Sequence, residues 1–370
     1  MGFNPLVGLL YHWIGGLSSA TCYLPYKGLK RWAWEVYWLV QGVASWLVAP
    51  LLVGLYLVPN ALHLLQCTPP HTVPLIYMWG ALWGFGALTF GLSVRYLGVA
   101  LGYAIALGLC TAFGTLVPPL FSGELGVIVH TVSGQVILLG VATCVAGIAL
   151  SGVAGVLRER EMGYAEKKAA VKDFNFRRGI AVAIFSGVMS SCFAYGIASG
   201  KPLTMATRAA LLSHGRLDLW QGLPALTLVM LGGFTTNIIW CFYLLLRNKI
   251  FSELWGNVKP GTAQQSEDAA QPVPLLKNYG LSIGGGLLWY FQYFFYTMGQ
   301  TRMGKYGFAS WSLHMASIII FSTLWGLYFK EWKGTSRRTH VMLYLGLLVL
   351  IASTLLVGYG SYLKLNGANS

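Results

Sequence analysis

Apolar residues dominate ten stretches of the chain, and short polar segments separate them. Each stretch holds about 20 residues, the length that an α-helix needs to cross the hydrocarbon core of a bilayer. The stretches lie at about 4–23, 36–58, 74–94, 98–120, 135–156, 178–199, 222–246, 277–299, 308–329 and 339–360. The pattern therefore predicts an all-α polytopic membrane protein with ten transmembrane helices.

The amino-acid composition excludes a soluble protein. Of the 370 residues, 56% are hydrophobic and 10% are charged, and the mean hydropathy is +0.61. A soluble domain of this size needs a far more charged surface. The net charge of +14 does not indicate nucleic acid, because the basic residues cluster between apolar stretches as juxtamembrane charges do. The expected surroundings are membrane lipid.

The lysines and arginines predict an orientation in the membrane. Most of the 25 lie in connections that follow odd-numbered stretches; the exceptions are Lys201, Arg208, Arg216, Arg302, Lys305 and Lys364. Positively charged connections tend to stay in the cytoplasm, so both chain termini are predicted to be extracytoplasmic.

A short pattern recurs in two of the stretches. Residues 15–23 read GGLSSATCY and residues 187–195 read GVMSSCFAY, 172 positions later. A second shift, of 206 positions, superimposes Trp83 on Trp289, together with the glycine three residues before each. Five helices per half is an odd number, so the two halves are predicted to be inverted repeats with a central site between them.

The repeats suggest a division of the chain. The first five-helix repeat is predicted over 1–157, a cytoplasmic connecting loop over 158–177, and the second five-helix repeat over 178–370. A polar stretch at about 248–275 predicts a flexible cytoplasmic loop within the second repeat.

The first stretch carries small and polar residues on one helical face, where His12, Ser19 and Tyr23 line up with Gly16. Glycine and serine on such a face permit close helix packing, or they line a polar cavity between the halves. His12 favours the cavity, because ionisable residues within a span usually face a pathway.

The second half offers similar polar groups. His314 lies about one helical turn after Ser310 and Trp311, and Gln292 lies one turn after Trp289. An indole ring can stack on the apolar face of a sugar, while amide and hydroxyl groups bond its hydroxyls. For the other tryptophans, including Trp32, Trp34, Trp38 and Trp332, an interfacial belt is the preferred interpretation.

Other chemistries are not indicated. The six cysteines are scattered without a Cys-x-x-Cys pair, and no metal, phosphate-loop or nucleotide motif occurs. Glu35, four residues after Arg31 at a predicted helix start, and Arg95, at a tight turn, are more typical of ion pairs and anchors than of ligands. We therefore expect neither an enzyme nor a metal or cofactor site.

Five stretches carry a family resemblance: YHWIGGLSSATCYLPYKGLKRWAWE, VRYLG, GGLLWYFQYFFY, SWSLHM and KEW. From the first span to the last, the chain resembles the L-rhamnose–proton symporters (RhaT) of the drug/metabolite transporter superfamily. The resemblance implies a ten-helix carrier of a deoxyhexose in the bacterial inner membrane, driven by the proton gradient. The matching positions are His12, Tyr23, Lys27, Glu35, Arg95, Trp289, Tyr290, Gln292, Trp311 and His314.

The chain departs from this family pattern at three positions. It carries Gly307 where members have an acidic residue, and Ala87 and Thr89 where they have asparagines. Because these departures remove polar groups from cavity helices, the sequence leaves the identity of the sugar open.

Together, the residues and the resemblance predict a proton-coupled sugar symporter that works by alternating access. Histidine titrates near neutral pH, and no carboxylate occupies the middle of a span. Proton coupling is assigned to His314 first and His12 second; Lys27, Glu35 and Arg95 are assigned as gate or anchor. The predicted substrate-binding residues are Ser19, Tyr23, Ser191, Trp289, Tyr290, Gln292, Ser310 and Trp311.

Alternatives are a uniporter or exporter of another small neutral metabolite, and a membrane receptor that does not transport. The predicted partners are a sugar and the proton, which is the coupling ion, and no cofactor is expected. The sequence does not determine the oligomeric state or the proton stoichiometry.

Overall fold

The computed structural model describes residues 4–97, 99–161, 175–257 and 272–365, which contain helices and no β-strand. The α-helices are α1 (Pro5–Thr21), α2 (Trp34–Gly42), α3 (Ala49–Leu57), α4 (Ala61–Cys67), α5 (Thr72–Leu97), α6 (Val99–Phe121), α7 (Leu125–His130), α8 (Val132–Glu161), α9 (Phe176–Ser199), α10 (Lys201–Ser213), α11 (Leu223–Arg247), α12 (Leu275–Arg302), α13 (Ser310–Tyr328) and α14 (Arg337–Leu365). Short 3₁₀ turns lie at Pro25–Gly28, Asp218–Trp220, Phe251–Trp255 and Gly304–Ala309. The predicted all-α class is confirmed.

Within the described ranges, eight helices are long and apolar enough to cross a membrane. They are the rod Trp34–Leu57, built from α2, a π-helical turn and α3, and the helices that contain α5, α6, α8, α9, α11, α13 and α14. α1 has 17 residues, and α12 carries Lys277, Asn278 and Gln292 along its length. The chain is therefore a multi-pass membrane protein, while the ten-helix count stays a prediction.

Large parts of the two predicted polar loops lie outside the described residues. α8 ends at Glu161 and α9 begins at Phe176, so the structure describes only the ends of 158–177. For the loop at about 248–275, the structure describes 248–257 and 272–275. The division of the chain into two repeats is therefore left as a prediction.

The two helices that carry the recurring pattern begin with the same cap. The side chain of Asn4 accepts the backbone N–H groups of Leu6 and Val7, and that of Asn175 accepts the N–H of Arg178. The two asparagines have φ/ψ angles of −144°/97° and −146°/99°. Each cap bonds N–H groups that the first helical turn leaves unpaired.

Several long helices pack against helices that are distant in the sequence. α1 packs against α12 and α13, and α9 packs against α5 and α6. α8 lies along α14, and the α2–α3 rod contacts α11 and α12. The packing of α1 against α12 and α13 brings predicted site residues from the two ends of the chain together.

Glycine in the recurring pattern lets these helices approach closely. A Cβ at Gly15 would lie 2.8 Å from the carbonyl oxygen of Gln292 in α12, and a Cβ at Gly187 would lie 2.8 Å from that of Ala106 in α6. The hydroxyl of Ser18 donates a hydrogen bond to the carbonyl of Leu288 at 2.9 Å. The small residues therefore serve close helix packing, one of the two interpretations of the pattern.

Candidate functional site

Two histidines meet in the interior of the bundle. His12 of α1 and His314 of α13 are fully buried, and their ring centroids lie 6.4 Å apart. The ring of Tyr296, on α12, lies 5.6 Å from the His12 ring and 5.4 Å from the His314 ring. Helices from both ends of the chain thus converge on one pair of imidazoles.

Small residues make room for the histidine pair. A Cβ at Gly299 would lie 2.7 Å from Nε2 of His12, so only glycine lets this imidazole pack against α12. The hydroxyl of Ser317 lies within hydrogen-bond distance of the carbonyl oxygens of both His12 (2.9 Å) and His314 (2.8 Å). This hydroxyl ties α1 to α13 at the depth of the two rings.

The imidazoles themselves lack hydrogen-bond partners. None of the residues that the structure describes bonds to Nδ1 or Nε2 of His12 or His314, to Oγ of Ser310 or to Nε2 of Gln292. A buried polar atom left unpaired costs about 1–3 kcal/mol. Because buried polar atoms are usually paired, this group of unpaired atoms distinguishes the histidine pair from the rest of the interior.

Trp311 is packed more tightly than the sequence suggested. Its indole N–H donates to the carbonyl of Cys110 at 3.0 Å, and its ring stacks on Phe193 with centroids 5.2 Å apart. The His314 ring lies 6.2 Å away. Trp311 therefore lies beside His314 as predicted, but Phe193 covers it where a sugar was expected to stack.

Tyr23 lines an open crevice. The residue is 48% exposed, although the ring of Tyr26 lies 5.8 Å and that of Trp289 6.2 Å from its ring. We call the exposed space beside these rings the crevice. Trp289 is partly exposed at the inner end of this crevice.

Other predicted substrate-binding residues lie apart from the histidines. The hydroxyl of Ser191 bonds to Val188 O and to the Tyr195 hydroxyl, within α9. The ring of Tyr290 is buried and packs against the phenylalanines at 291 and 294. Ser19 is buried near the end of α1, one turn before Tyr23. Of the predicted site residues, His12, Trp311 and His314 have their rings together in this conformation, and we call them the histidine centre.

Two of the predicted gate or anchor residues form polar contacts with other segments. Nζ of Lys27 lies 4.0 Å from a carboxylate oxygen of Glu331, and both side chains are largely exposed. Glu35 is buried and accepts a hydrogen bond from the Asn248 side chain at 3.0 Å. The prediction for the side chain of Arg95 lies outside what the structure describes.

A tryptophan cluster, which we define as Trp38, Trp46, Trp83 and Trp289, was missed by sequence reasoning. The Trp46 ring centroid lies 6.0 Å from Trp38, 6.1 Å from Trp83 and 6.5 Å from Trp289. Trp38 is therefore partly buried against interior rings, while its position relative to an interfacial belt stays a prediction. The eight-residue spacing of Trp38 and Trp46, which puts both on one helical face, was the available signal.

Tyr293 connects this cluster to the histidines. Its ring lies 6.3 Å from Trp289, 5.5 Å from Trp83 and 6.0 Å from His314. Aromatic side chains thus run continuously from the exposed crevice at Tyr23 to the histidine pair. No group of three His, Cys, Asp or Glu side chains suited to a metal ion occurs among the described residues.

Comparison with known proteins identifies the family. The model of the L-rhamnose-proton symport protein (RhaT) family matches residues 1–362. The chain is 36% identical over 355 residues to the L-rhamnose-proton symporter of Cronobacter sakazakii, 34% to that of Klebsiella pneumoniae and 33% to that of Escherichia coli O1:K1. Each match covers 96% of this chain and 97% of the relative.

These matches bear on the predicted activity. Members of this family are transporters, which confirms the expectation that the protein is not an enzyme. The apolar helices are those expected of a membrane transporter, and the match extends over nearly the whole chain. The chain belongs to the L-rhamnose-proton symport protein family.

Proposed function

We propose that the protein carries L-rhamnose, or a related deoxyhexose or other monosaccharide, together with protons across the bacterial inner membrane by alternating access. Support comes first from relatives that are L-rhamnose-proton symporters and match nearly the full chain. A symporter also needs a titratable group that reaches the substrate pathway. The histidine pair supplies that group.

The observation that carries the proposal is that both imidazoles are buried and have no carboxylate partner among the described residues. A proton on one ring would therefore add an uncompensated charge to a closed apolar centre, which is costly. Opening the centre to water, or binding polar sugar groups beside it, reduces that cost.

The separation of the rings limits the charge to one proton. Two positive charges 6.4 Å apart repel each other by about 2–3 kcal/mol at an effective dielectric constant of about 20. We therefore propose one proton per pair, held by His314, with His12 as the alternative carrier. Trp311 beside His314 favours this order.

Transport of the sugar is coupled to transport of the proton if each ligand, bound alone, stabilises the open conformations more than the conformation in which the histidine centre is closed. A ligand shifts a conformational equilibrium only by its differential affinity for the two states. A protonated imidazole that donates to a sugar hydroxyl would satisfy both unpaired groups at once. Sugar and proton would then cross together.

We further propose that ten helices form two inverted five-helix repeats, the arrangement of the drug/metabolite transporter superfamily. In this proposal α1, the α2–α3 rod, α5, α6 and α8 correspond to α9, α11, α12, α13 and α14. The packing supports the correspondence: α1 with α12 and α13 mirrors α9 with α5 and α6, and the rod with α12 mirrors α11 with α5. The shared asparagine caps agree with it.

The proposed orientation puts both termini outside the cytoplasm. On the outer side, carboxylate oxygens of Asp218 lie 3.4 Å from Arg302 and 3.7 Å from Arg208. At the opposite end, Tyr23 is exposed. We infer that this conformation is closed toward the outside and open toward the cytoplasm.

The decisive experiment compares two kinds of transport by the purified protein in liposomes. The variant His314→Gln keeps a hydrogen-bonding side chain but cannot take up a proton near neutral pH. It should still exchange labelled L-rhamnose across the membrane, but an imposed proton gradient should no longer drive accumulation above equal concentrations. His214→Gln, which changes an exposed histidine after α10, is the matched control and should accumulate sugar as the wild type does.

Each other outcome has a defined meaning. Undiminished gradient-driven uptake by His314→Gln would move the proton to His12. Exchange without accumulation in the wild type would identify a uniporter or exporter, and binding without exchange would identify a receptor. Failure of the wild type to bind L-rhamnose would require another substrate.

A further inference from the structure

The tryptophan cluster and the π-helical turn beside it contain unsatisfied hydrogen-bonding atoms. The indole N–H groups of Trp46 and Trp289, Nε2 of Gln41 and Oγ of Ser45 have no hydrogen-bond partner within the ranges that the structure describes. Gln41, Ser45 and Trp46 are almost completely buried. Four such atoms in one place need a common explanation, because buried polar groups are nearly always paired.

The backbone at this place is irregular. Ser45 and Trp46 lie in the π-helical turn Val43–Val48, where the N–H of Ala49 bonds to the carbonyl of Ala44. Pro50 follows and lacks the N–H that an α-helix would donate to the carbonyl of Trp46. π-Turns inside helices occur frequently at functional sites.

Three of the four groups can only donate, and none is charged. The carbonyl oxygen of Gln41 already accepts from the Tyr26 hydroxyl at 3.3 Å, which leaves its amide nitrogen free. Indole and amide N–H groups have no acceptor lone pair to offer, so they need oxygen acceptors from a ligand. Uncharged donors beside indole rings suit a neutral molecule with hydroxyl oxygens and an apolar C–H face.

From this we infer that the tryptophan cluster and the π-turn form the hydroxyl-recognition subsite for the transported sugar. The N–H groups of Trp46 and Trp289, with Gln41 and Ser45, donate to sugar oxygens once the helices separate around the ligand. The inference rests on the proposed function and adds the residues that select the substrate. Only Trp289 among them is a predicted substrate-binding residue.

The position of the cluster fits a route for sugar. Trp289 contacts Tyr23 at the exposed crevice, at 6.2 Å between centroids. Tyr293 lies between Trp289 and His314. A sugar in this subsite would therefore lie between the crevice and the proton-carrying centre, one aromatic ring away from His314.

A substitution that removes only an unpaired donor should weaken sugar binding without lowering the stability of the fold. Trp46→Phe keeps an aromatic ring and deletes the N–H group. Because that group is unpaired in the empty protein, its loss should leave thermal stability unchanged or slightly higher. Binding of L-rhamnose should weaken about threefold to tenfold, the value of one neutral hydrogen bond. Ser45→Ala should behave in the same way.

Matched controls remove groups whose partners lie within the protein. Trp325→Phe deletes an N–H that donates to Thr21 Oγ1 at 3.0 Å, and Ser186→Ala deletes a hydroxyl that donates to the carbonyl of Gly86 at 3.0 Å. These variants should lose thermal stability and keep the wild-type affinity. The opposite responses of the two sets distinguish a ligand subsite from a structural role.

The test is equilibrium binding of L-rhamnose and of its singly deoxygenated analogues to detergent-purified protein. Removing the sugar hydroxyl that Trp46 recognises should weaken binding to the wild type and have no further effect on Trp46→Phe. Wild-type affinity of Trp46→Phe and Ser45→Ala for every sugar would overturn the inference while leaving the proposed function intact. If the wild type exchanges no L-rhamnose, the same comparison with whichever monosaccharide it exchanges decides the subsite. If it exchanges no monosaccharide, the proposed function fails and the sugar subsite fails with it.

Discussion

Glu253, which lies outside the membrane-spanning helices, has a buried carboxyl group whose ionisation is unfavourable. Its side chain is 1% exposed, and Oε2 accepts the backbone N–H of Ala33 at 2.9 Å, just before α2. Burial raises the pKa of the Glu253 carboxyl, and the charge of Glu35 adds to the rise, while the bond from Ala33 opposes it. The ionised form of Glu253 therefore opposes folding.

We predict that Glu253→Gln reduces the pH dependence of stability. A carboxyl whose pKa is raised by folding stabilises the folded state fully below its unfolded pKa, and this contribution is lost as the pH rises through the folded pKa. The window thus extends upward from the ordinary glutamate value of 4.5. Glutamine keeps an oxygen for Ala33 but carries no charge.

The measurement is the Tm of detergent-purified protein across this pH range. The wild type should lose Tm as the pH rises, and the variant should lose less. Glu331→Gln, at an exposed carboxylate, is the control and should keep the wild-type slope. Parallel curves for wild type and Glu253→Gln would show that Glu253 does not sense pH.

At the scale of helices, the contact between α1 and α12 depends on Gly15. Alanine at this position would put its Cβ 2.8 Å from the carbonyl oxygen of Gln292. Overpacking costs about 1–3 kcal/mol, which exceeds the gain of about 1 kcal/mol from replacing glycine by alanine in a helix. We predict that Gly15→Ala lowers both the Tm and the rate of sugar exchange, because the shifted α1 carries His12.

Gly284 on α12 provides the matched control for this substitution. No atom lies within 4 Å of a Cβ built there. Gly284→Ala should therefore hold or raise the Tm and leave exchange unchanged. An equal loss in both alanine variants would mean that close approach of α1 is not the cause.

At the scale of the whole molecule, the charged cluster of Asp218, Arg302 and Arg208 closes the proposed outer side. The Arg302 and Asp218 side chains are nearly buried, so this ion pair is screened far less than a surface pair. We predict that Asp218→Asn shifts the population toward the outward-open state. A Ser310→Cys reporter, in a background without native cysteines, should then react faster with an impermeant thiol reagent added outside.

The control for this shift is Glu124→Gln. Glu124 forms an exposed pair with Lys201 at 3.6 Å, and such pairs contribute little. The reporter should react at the wild-type rate in this variant. Equal reactivity in all three proteins would remove Asp218 from the outer closure.

Reading along the chain was enough to predict the helices, the membrane location and the residue types proposed for coupling. Each apolar stretch is helical because helix formation and insertion depend on hydrophobicity averaged over about 20 local residues. His12 and His314 were recognisable because an ionisable side chain in an apolar stretch is unusual whatever its neighbours are. The family followed from short motifs that can be read along the chain.

Which of these residues meet depends on how helices distant in the sequence pack together. His12 and His314 lie 302 positions apart (314 − 12), and their 6.4 Å separation depends on how α1 packs against α12 and α13. Contacts between other distant helices put Phe193 of α9 over Trp311 of α13, and Trp38 of the α2–α3 rod beside Trp289 of α12. Local hydrophobicity shows that a tryptophan is in or near the membrane, but the ring that it touches depends on contacts between distant helices.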